Sequence, residues 1–384
     1  MIDKLKLKNS RDNYLNFIHS MRIKSDEYSF TAGANSSPYA LCFAIFGYNL
    51  LNNQSLINNN SDVLSKKLVE NLNNKKYERE KKGISIFNDK QYLQLFCFTL
   101  SCLKILNKND LYDFKKEVMQ LIPENINDSL EENGVFSCSG GSGNYAMFIG
   151  TFLLYARDYL KIPCQNQIDQ WISSHLINRN KNFLWGNYND ISHHQFQNGY
   201  HQYEILEYLK YDYDKNTIDK MNQIHLIADT KGHFAPWPGG SSCHDYDACF
   251  LLSLKSKFND LDIKLFKLII SDILINQNED GGFCESHNVR PRTFKNIKLF
   301  INHLFANNYL LRKERIYQFL TLQRAKHDKI SSHVSNIDRN WNESNLWDSW
   351  FRMLTIARLE CKVFPDEIRN WGFINFPGIG FFRK

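Results

Sequence analysis

The chain has 384 residues, of which 43% are apolar and 23% are charged, and its formal net charge is +6. This composition excludes a disordered or collagen-like protein, and because the basic residues alternate with acidic ones it excludes a nucleic-acid-binding stripe as well. No apolar run reaches the roughly 20 residues of a membrane-spanning helix, and the N-terminus does not resemble a signal peptide. Nine cysteines without paired CxxC spacing indicate a reducing compartment, so we expect a cytoplasmic protein, with peripheral membrane contact left open.

The first 80 residues have helical sequence, interrupted by an Asn-rich stretch at 52–60 that is typical of a surface connection. We expect residues 1–80 to form an N-terminal helical segment that packs on, or completes, the domain formed by residues 81–384. The two parts together are expected to make one structural domain.

From residue 81 onward, a turn that pairs Gly or Asn with an aromatic residue recurs at a constant spacing. Five aromatic residues in these turns are 49 residues apart, namely Phe87, Phe136, Trp185, Phe234 and Phe283. Each turn precedes two helical segments, the first apolar over most of its circumference and the second amphipathic. This repeat predicts an all-α protein, an α/α toroid of about six helix pairs whose inner helices line a cavity. An open solenoid of helix pairs is the alternative.

Two of the predicted inner helices carry polar candidates for the cavity. Tyr145 follows a Gly-rich helix start, SGGSGNYAM, that lacks the Lys of a phosphate-binding loop and therefore indicates close helix packing. In the next inner helix His194, Gln197 and His201 share one face, since their spacing is i, i+3 and i+7. We predict His194 and His201 to be polar cavity residues, with metal ligation as the alternative.

The densest group of reactive side chains lies in the stretch HFAPWPGGSSCHDYDACF at 233–250, which includes Trp237. Pro and Gly residues predict an irregular loop, after which Ser241 or Ser242 is expected to cap a helix. The first turn of that helix would hold His244, Asp245 and Asp247, two carboxylates beside an imidazole at a positive helix end. Such a set suits acid–base chemistry, although acidic residues also occur in first turns merely because they favour the helix dipole.

Further along the chain, Arg290 and Arg292 follow the last strong turn, where they would suit a diphosphate group or form a solvated basic loop. The final helix begins with Trp347 and Asp348, which offer an aromatic cavity wall and a second candidate carboxylate.

The turn NQNEDGGF at 276–283, followed by a buried helix and repeated around a ring, resembles the repeat of the terpenoid cyclase and protein prenyltransferase β-subunit superfamily of α/α toroids. Within it, Asp245-Tyr246-Asp247-Ala248 resembles the DxDD motif of class II terpene cyclases, except that Ala248 replaces an acid. The resemblance implies proton-initiated cyclisation of an isoprenoid, with Asp247 as the general acid and with His244 or Asp245 hydrogen bonded to it. It implies no required cofactor, although a diphosphate substrate would bring Mg²⁺.

Three alternatives remain open at this stage. The resemblance to prenyltransferase β-subunits implies a Zn²⁺-dependent transferase in which Asp247 and Cys249 bind the metal, although a His at the expected third position is missing. A polar and aromatic toroid could also bind or process a glycan with its paired carboxylates. A subunit that binds a protein partner through an apolar groove is the alternative without catalysis.

Overall fold

The computed structural model describes residues 4–137, 141–186, 191–237, 239–255, 257–286, 301, 309–324, 329–331, 338–340 and 342–383. These residues are mostly helical, which confirms the all-α prediction. Their strands form two short antiparallel pairs, β1 (Arg22–Lys24) with β2 (Glu27–Tyr28) and β3 (Lys329–Ser331) with β4 (Asp338–Asn340).

The α-helices are, in chain order, α1 (Lys4–Ser20), α2 (Pro38–Leu50), α3 (Gln54–Asn59), α4 (Ser61–Lys81), α5 (Lys90–Ile105), α6 (Lys115–Leu121), α7 (Ile126–Glu132), α8 (Ser142–Asp158), α9 (Gln165–Ile177), α10 (His193–Tyr208), α11 (Lys215–Met221), α12 (Ser242–Leu252), α13 (Asp260–Ile275), α14 (Tyr309–Arg324) and α15 (Leu346–Val363). Short 3₁₀ helices lie at Ile86–Asn88, Asn109–Leu111, Asn222–Ile227 and Pro365–Asn370. No helix in this part of the chain is both long and apolar enough to cross a bilayer.

Six helices contact one another in a circuit that returns to its first member. Helix α2 packs against α5, α5 against α8, α8 against α10, α10 against α12, α12 against α15, and α15 against α2. These helices are buried on nearly every side, so that in α2 every residue after Pro38 is buried. Since a helix that is apolar all round has to lie inside a protein, the sequence pattern explains their position.

Amphipathic helices pack on the outside of this circuit. Helix α4 contacts α5, α6 and α9 contact α8, α13 contacts α15, and α1 contacts α2 and α15. Helix α13 shows the pattern, since it buries Phe266 and Ile270 while Leu261 and Ile275 are 75% exposed. Residues 1–80 therefore supply α2, one helix of the circuit, and three helices packed against it, α1, α3 and all but the last residue of α4.

The 49-residue repeat corresponds to a repeated backbone turn. A positive φ angle occurs two residues before the aromatic residue in four of the turns, at Gly134, Phe183, Gly232 and Gly281. In three of them a backbone N–H donates to the carbonyl four residues later, at Asn180, Asp229 and Asn278, over 2.8–2.9 Å. The left-handed conformation favours glycine, which explains why this residue recurs in the motif.

The last of these turns does not lead directly into the next helix of the circuit. The Phe283 N–H donates to Ser349 Oγ over 2.8 Å, and the Phe283 carbonyl accepts the Asn345 N–H over 3.1 Å. The turn therefore lies against the start of α15, and residues 285–344 form an insertion between the two. The two helical segments that the sequence shows after this turn are 294–307 and 315–325. Only residue 301 of the first is described, whereas the second overlaps α14.

Residues 371–383 pack across the C-terminal ends of the circuit. The Gly372 N–H donates to the Leu50 carbonyl over 3.0 Å, and the Gly380 N–H donates to Glu204 Oε1 over 3.2 Å. Arg358 donates to the Phe381 carbonyl, and Phe381 is itself buried. This segment therefore covers the C-terminal ends of α2, α10 and α15.

We expect Phe234→Ala to lower the free energy of unfolding by about 3–5 kcal/mol, because it removes a wholly buried ring whose neighbours cannot collapse fully. The matched change Phe87→Ala removes a half-buried ring of the same repeat, so its loss should stay below about 2 kcal/mol. Urea unfolding followed by circular dichroism measures both values. Equal losses would show that the repeat turns do not differ in burial as described.

Candidate functional site

The candidate site lies where the N-terminal ends of α8, α10, α12 and α15 meet. Ser242, the first residue of α12, donates its hydroxyl proton to Asp348 of α15. The Gly143 N–H of α8 donates to Asn198 Oδ1 of α10 over 2.9 Å, and a Cβ atom at Gly143 would meet the Asn198 backbone. These contacts bring polar side chains from sequence-distant helices into one region.

Asp245 is an ionised, fully bonded carboxylate in this region. It accepts hydrogen bonds from Arg352 Nη1 over 2.7 Å, from the Phe234 N–H over 2.8 Å and from the Ser241 N–H over 3.1 Å. Burial opposes its ionisation, but the Arg352 guanidinium and the His233 ring outweigh that effect and hold the pKa of Asp245 well below its ordinary value. Its role is to connect α12 with α15 and with the preceding loop.

His233 extends this ion network to the outer helix α13. Its Nδ1 lies 3.2 Å from Asp245 Oδ2, and its Nε2 lies 3.0 Å from Asp272 Oδ2. Burial lowers its pKa, but the two carboxylates reverse the effect and raise the pKa of His233 to about 9. Gly240 lies against this pair with a φ of +74°, and a Cβ atom there would collide with both Asp245 and His233. The predicted Pro-Gly loop therefore allows a close approach to a buried ion pair.

Asp247 has the opposite surroundings, although it is only two residues away. It is 3% exposed, and no residue in the described part of the chain forms a hydrogen bond with its carboxyl group. Burial raises the pKa of Asp247 well above its ordinary value, and the neighbouring Glu204 and Asp245 raise it further. Helix α12 begins at Ser242, which places Asp247 in the second turn and not in the first turn as predicted. The helix dipole therefore contributes little to ionising it.

The predicted hydrogen bond between Asp245 and Asp247 is not formed. Residues two apart on a helix point to different sides, so Asp245 faces Arg352 and acts on Asp247 only through its charge. The predicted capping by Ser241 is also altered. Ser241 occupies the capping position, but its backbone N–H binds Asp245 and its side chain does not cap the helix.

Glu204 of α10 is the second buried carboxyl group near Asp247. It is wholly buried, and it accepts hydrogen bonds from the Tyr200 hydroxyl over 3.0 Å and from the Gly380 N–H over 3.2 Å. Burial raises the pKa of Glu204 to about 8, even though the Arg358 charge opposes this rise. Glu204 thus joins the C-terminal segment to the wall of the site.

The polar stripe predicted on α10 is present. His194 and Gln197 are partly exposed and His201 is 7% exposed, whereas the residues between them are buried more deeply. Burial lowers the pKa of His194, and it lowers the pKa of His201 to about 3, so both rings are neutral near pH 7.

Lys90 and Tyr145 lie at the neighbouring helix starts. Both line a cleft of about 270 Å³. The Tyr145 hydroxyl lies 2.8 Å from Ser129 Oγ. Lys90 is the cation whose charge acts on His201, and desolvation lowers the pKa of its amine although the residue as a whole is exposed. This edge of the site is therefore polar, and it carries a positive charge when Lys90 is protonated.

Of the remaining predicted residues, some lie together at the site and others lie elsewhere or outside the described residues. The Trp237 indole donates to Ser286 Oγ over 3.1 Å, and its ring lies 5.4 Å from that of His244, so these two candidates are together. The ring of Trp347 is half-buried and lies 5.0 Å from that of Phe43. Asp348 is buried and accepts from Ser242 and from Asn345, which caps α15. Arg290 and Arg292 lie outside the described residues.

Asp247 and Cys249, the alternative zinc ligands, have no third metal-binding side chain beside them within the described ranges. Cys249 is wholly buried, and burial raises the pKa of its thiol well above the ordinary value, so the thiolate is disfavoured. The three-residue group suited to a metal in this part of the chain consists of His193, His194 and Glu314.

Sequence reasoning missed four residues that shape the site: His233, Glu204, Arg352 and Lys90. Arg352 had a usable signal, because an Arg in a helix that is otherwise buried requires a buried partner. Glu204 had the same signal in α10. Which partner each one binds could not be read from the sequence, since Arg352 and Asp245 are 107 residues apart.

Comparisons with protein-family models, with curated proteins and with solved structures find no match for this chain. The function therefore has to be argued from the geometry and electrostatics of the site.

The ion network should make the free energy of unfolding decrease as the pH becomes alkaline. Because the pKa of His233 rises from 6.5 in the unfolded chain to about 9 in the folded one, its stabilisation is complete below pH 6.5 and is lost as the pH rises through 9. The free energy of unfolding should fall by up to about 1.4 kcal/mol per pH unit in this window. Urea unfolding at closely spaced pH values measures the slope.

His233→Gln should flatten that slope. The matched control is His175→Gln, because burial lowers the pKa of His175 to about 3, so its folded-state ring does not titrate as the pH rises through 9. The Asp245 carboxylate, whose pKa is lowered, should contribute a separate loss of stability as the pH falls below about 4. An unchanged alkaline slope in His233→Gln would contradict the assigned imidazolium.

Proposed function

We propose that the protein is an enzyme that transfers a proton from the carboxyl group of Asp247 to a substrate in a closed cavity. The observation that carries this proposal is the contrast between two carboxyl groups on one helix. Asp245 is held ionised by Arg352 and His233, whereas burial and the neighbouring Glu204 and Asp245 raise the pKa of Asp247 well above its ordinary value. Environments that push two carboxyl pKa values apart are how a site separates its general acid from its fixed charges.

For the architecture, we propose an α/α toroid. The closed circuit α2, α5, α8, α10, α12, α15 would be the inner ring, and α1, α4, α6, α9, α11 and α13 would belong to the outer ring. The contacts of the circuit and the amphipathic character of the outer helices support this arrangement. The covered C-terminal ends would leave one entrance, at the N-terminal ends of the inner helices, where the candidate site lies.

For the substrate we propose an isoprenoid and for the reaction a proton-initiated cyclisation. The Asp247 carboxyl proton would add to one carbon of an alkene, and the π electrons would form the new C–H bond and leave a carbocation on the other carbon. Attack by a second alkene would close the ring, and loss of a proton would end the reaction. Aromatic rings stabilise such cations, and the half-buried Trp347, packed with Phe43 and Phe351, supports this part of the proposal.

The polar edge of the site would hold the other end of the substrate. Lys90 lines the cleft at this edge, and its charge acts on the neutral ring of His201 on α10. An ammonium group and imidazole N–H donors suit a diphosphate, which would bring Mg²⁺ if present. A glycan hydrolase is a weaker proposal, because Glu204, the second carboxyl group, is wholly buried and bonded to Tyr200 and Gly380.

Asp247→Asn is expected to lower kcat by about 10²–10⁴-fold, because the amide cannot donate the proton. Its stability should stay within about 1 kcal/mol of the wild type, since a neutral carboxyl group is replaced by a neutral group of the same size. The matched change Asp245→Asn leaves the buried Arg352 guanidinium without its carboxylate partner and should cost about 3–5 kcal/mol of stability. Urea unfolding of both variants separates the two roles.

The assay uses linear prenyl diphosphates of increasing chain length in D₂O, with products analysed by mass spectrometry. Proton-initiated cyclisation predicts a cyclic product that carries one solvent deuterium and keeps its diphosphate. Full activity of Asp247→Asn, or a product formed with release of diphosphate and without deuterium, would rule the mechanism out. Turnover of glycosides but not of prenyl substrates would move the proposal to sugar chemistry.

The alkaline limit of activity should respond to Glu204. Since activity requires protonated Asp247, kcat should fall as the pH rises through the pKa of that group. Glu204→Gln removes a negative charge that raises this pKa, so the alkaline limb of the pH profile should move to lower pH. The measurement is kcat at closely spaced pH values for both proteins. If the limb does not move in Glu204→Gln, the charge of Glu204 does not act on the proton donor.

A further inference from the structure

The insertion between the last repeat turn and α15 places one acidic side chain against the start of α10. Helix α14 of this insertion buries Glu314 and Arg315, which are 9% and 4% exposed. The Arg315 guanidinium donates to the Ile227 carbonyl over 2.9 Å, and Glu314 Oε2 accepts the His193 N–H over 3.0 Å. These two bonds fix the position of the Glu314 carboxylate beside the first two residues of α10.

This arrangement gathers three metal-ligand side chains. One coordinating atom from each of His193, His194 and Glu314 lies within 4.8 Å of the other two. His193 Nδ1 is 3.6 Å from Glu314 Oε2, which is too long for a hydrogen bond. A tetrahedral metal ion at about 2.1 Å from each ligand would separate two ligand atoms by about 3.4 Å. The observed distance therefore suits two ligands of one ion better than a direct bond.

A second observation points to a ligand at the same place. His193 is 3% exposed, and within the part of the chain that the structure describes its Nδ1 has no hydrogen-bond partner. A buried polar atom without a partner costs free energy, and native structures rarely leave one unsatisfied. A metal ion bound to Nδ1 would remove this cost.

We propose that His193, His194 and Glu314 bind one divalent first-row metal ion of the Zn²⁺ type. Two imidazoles and one carboxylate form a ligand set found in zinc sites that keep a fourth position for water or substrate. The same set is used by Fe²⁺, so the metal has to be identified by experiment. The ring of His193 lies 5.3 Å from that of His244, and the fourth position would accordingly serve an anionic substrate oxygen at the mouth of the candidate site.

This inference is independent of the proton transfer assigned to Asp247, and a direct binding measurement tests it. The full chain is freed of metal with a chelator, dialysed, and titrated with Zn²⁺ by calorimetry, while elemental analysis gives the metal content of the protein as purified. We expect one Zn²⁺ per chain and a rise in Tm on binding. His193→Gln and Glu314→Gln should each weaken the affinity by at least about 100-fold, more than is typical for residues that only support a ligand.

Two control variants should keep the wild-type affinity. His225→Ala removes an exposed His from the Asn222–Ile227 helix, and Cys249→Ala removes the ligand of the alternative zinc site. The spectrum of the Co²⁺ form adds a readout that does not depend on variants, because the proposed ligands give no thiolate charge-transfer band. Anaerobic titration with Fe²⁺ that shows the same dependence on His193 and Glu314 would keep the site and change the metal.

The proposal is overturned if neither Zn²⁺ nor Fe²⁺ binds the wild-type chain stoichiometrically. It is equally overturned if both Gln variants bind as tightly as the wild type. Loss of binding confined to Cys249→Ala, together with a thiolate band in the Co²⁺ spectrum, would assign the metal to a cysteine-containing site instead. If the Gln variants do not fold, the stoichiometry, the Tm shift and the Co²⁺ spectrum of the wild type still decide the question.

Discussion

The arrangement of the site depends on the buried charge of Asp245. Through Arg352, His233 and Asp272, this carboxylate connects two helices of the circuit, α12 and α15, with α13, which packs against α15. Each of these groups would be costly to bury alone, so they must be brought together as the chain folds. The irregular loop before α12 follows from the same requirement, since only a glycine at 240 leaves room for the pair.

The ion network also explains how one helix can hold two carboxyl groups in different states. Asp245 takes the nearby cations and backbone N–H groups, and because residues two apart face different sides, Asp247 is left without them. The negative charge of Asp245 then raises the pKa of Asp247 and does not lower it. A carboxylate held in an ion network and a carboxyl group with a raised pKa are in this sense two results of one constraint.

The fold was predictable to the extent that it follows from local sequence. The aromatic spacing of 49 residues marks real turns, because a positive φ angle recurs two residues before four of the aromatics. Helix α15 was expected from its apolar pattern, and the stripe of His194 and His201 follows from helical spacing. Less of the site was predictable. Asp247 and His244 were selected, but the pairing of Asp245 with Arg352 depends on packing between distant helices, which no local pattern encodes.

The insertion at 285–344 shows why a sequence repeat predicts the helical framework more readily than it predicts the residues of a site. The DGGF turn predicts that the next helix of the ring follows at once, yet in the structure this turn contacts Asn345 and Ser349 beyond the insertion. The turn therefore packs against α15 although the insertion separates the two in the sequence. The insertion also places Glu314 at the start of α10. A side chain that reaches the site from outside the repeat does not have to pack between the helices of the circuit. Chemistry at the mouth can consequently change through the insertion, whereas Asp245 and Arg352 remain fixed by the fold.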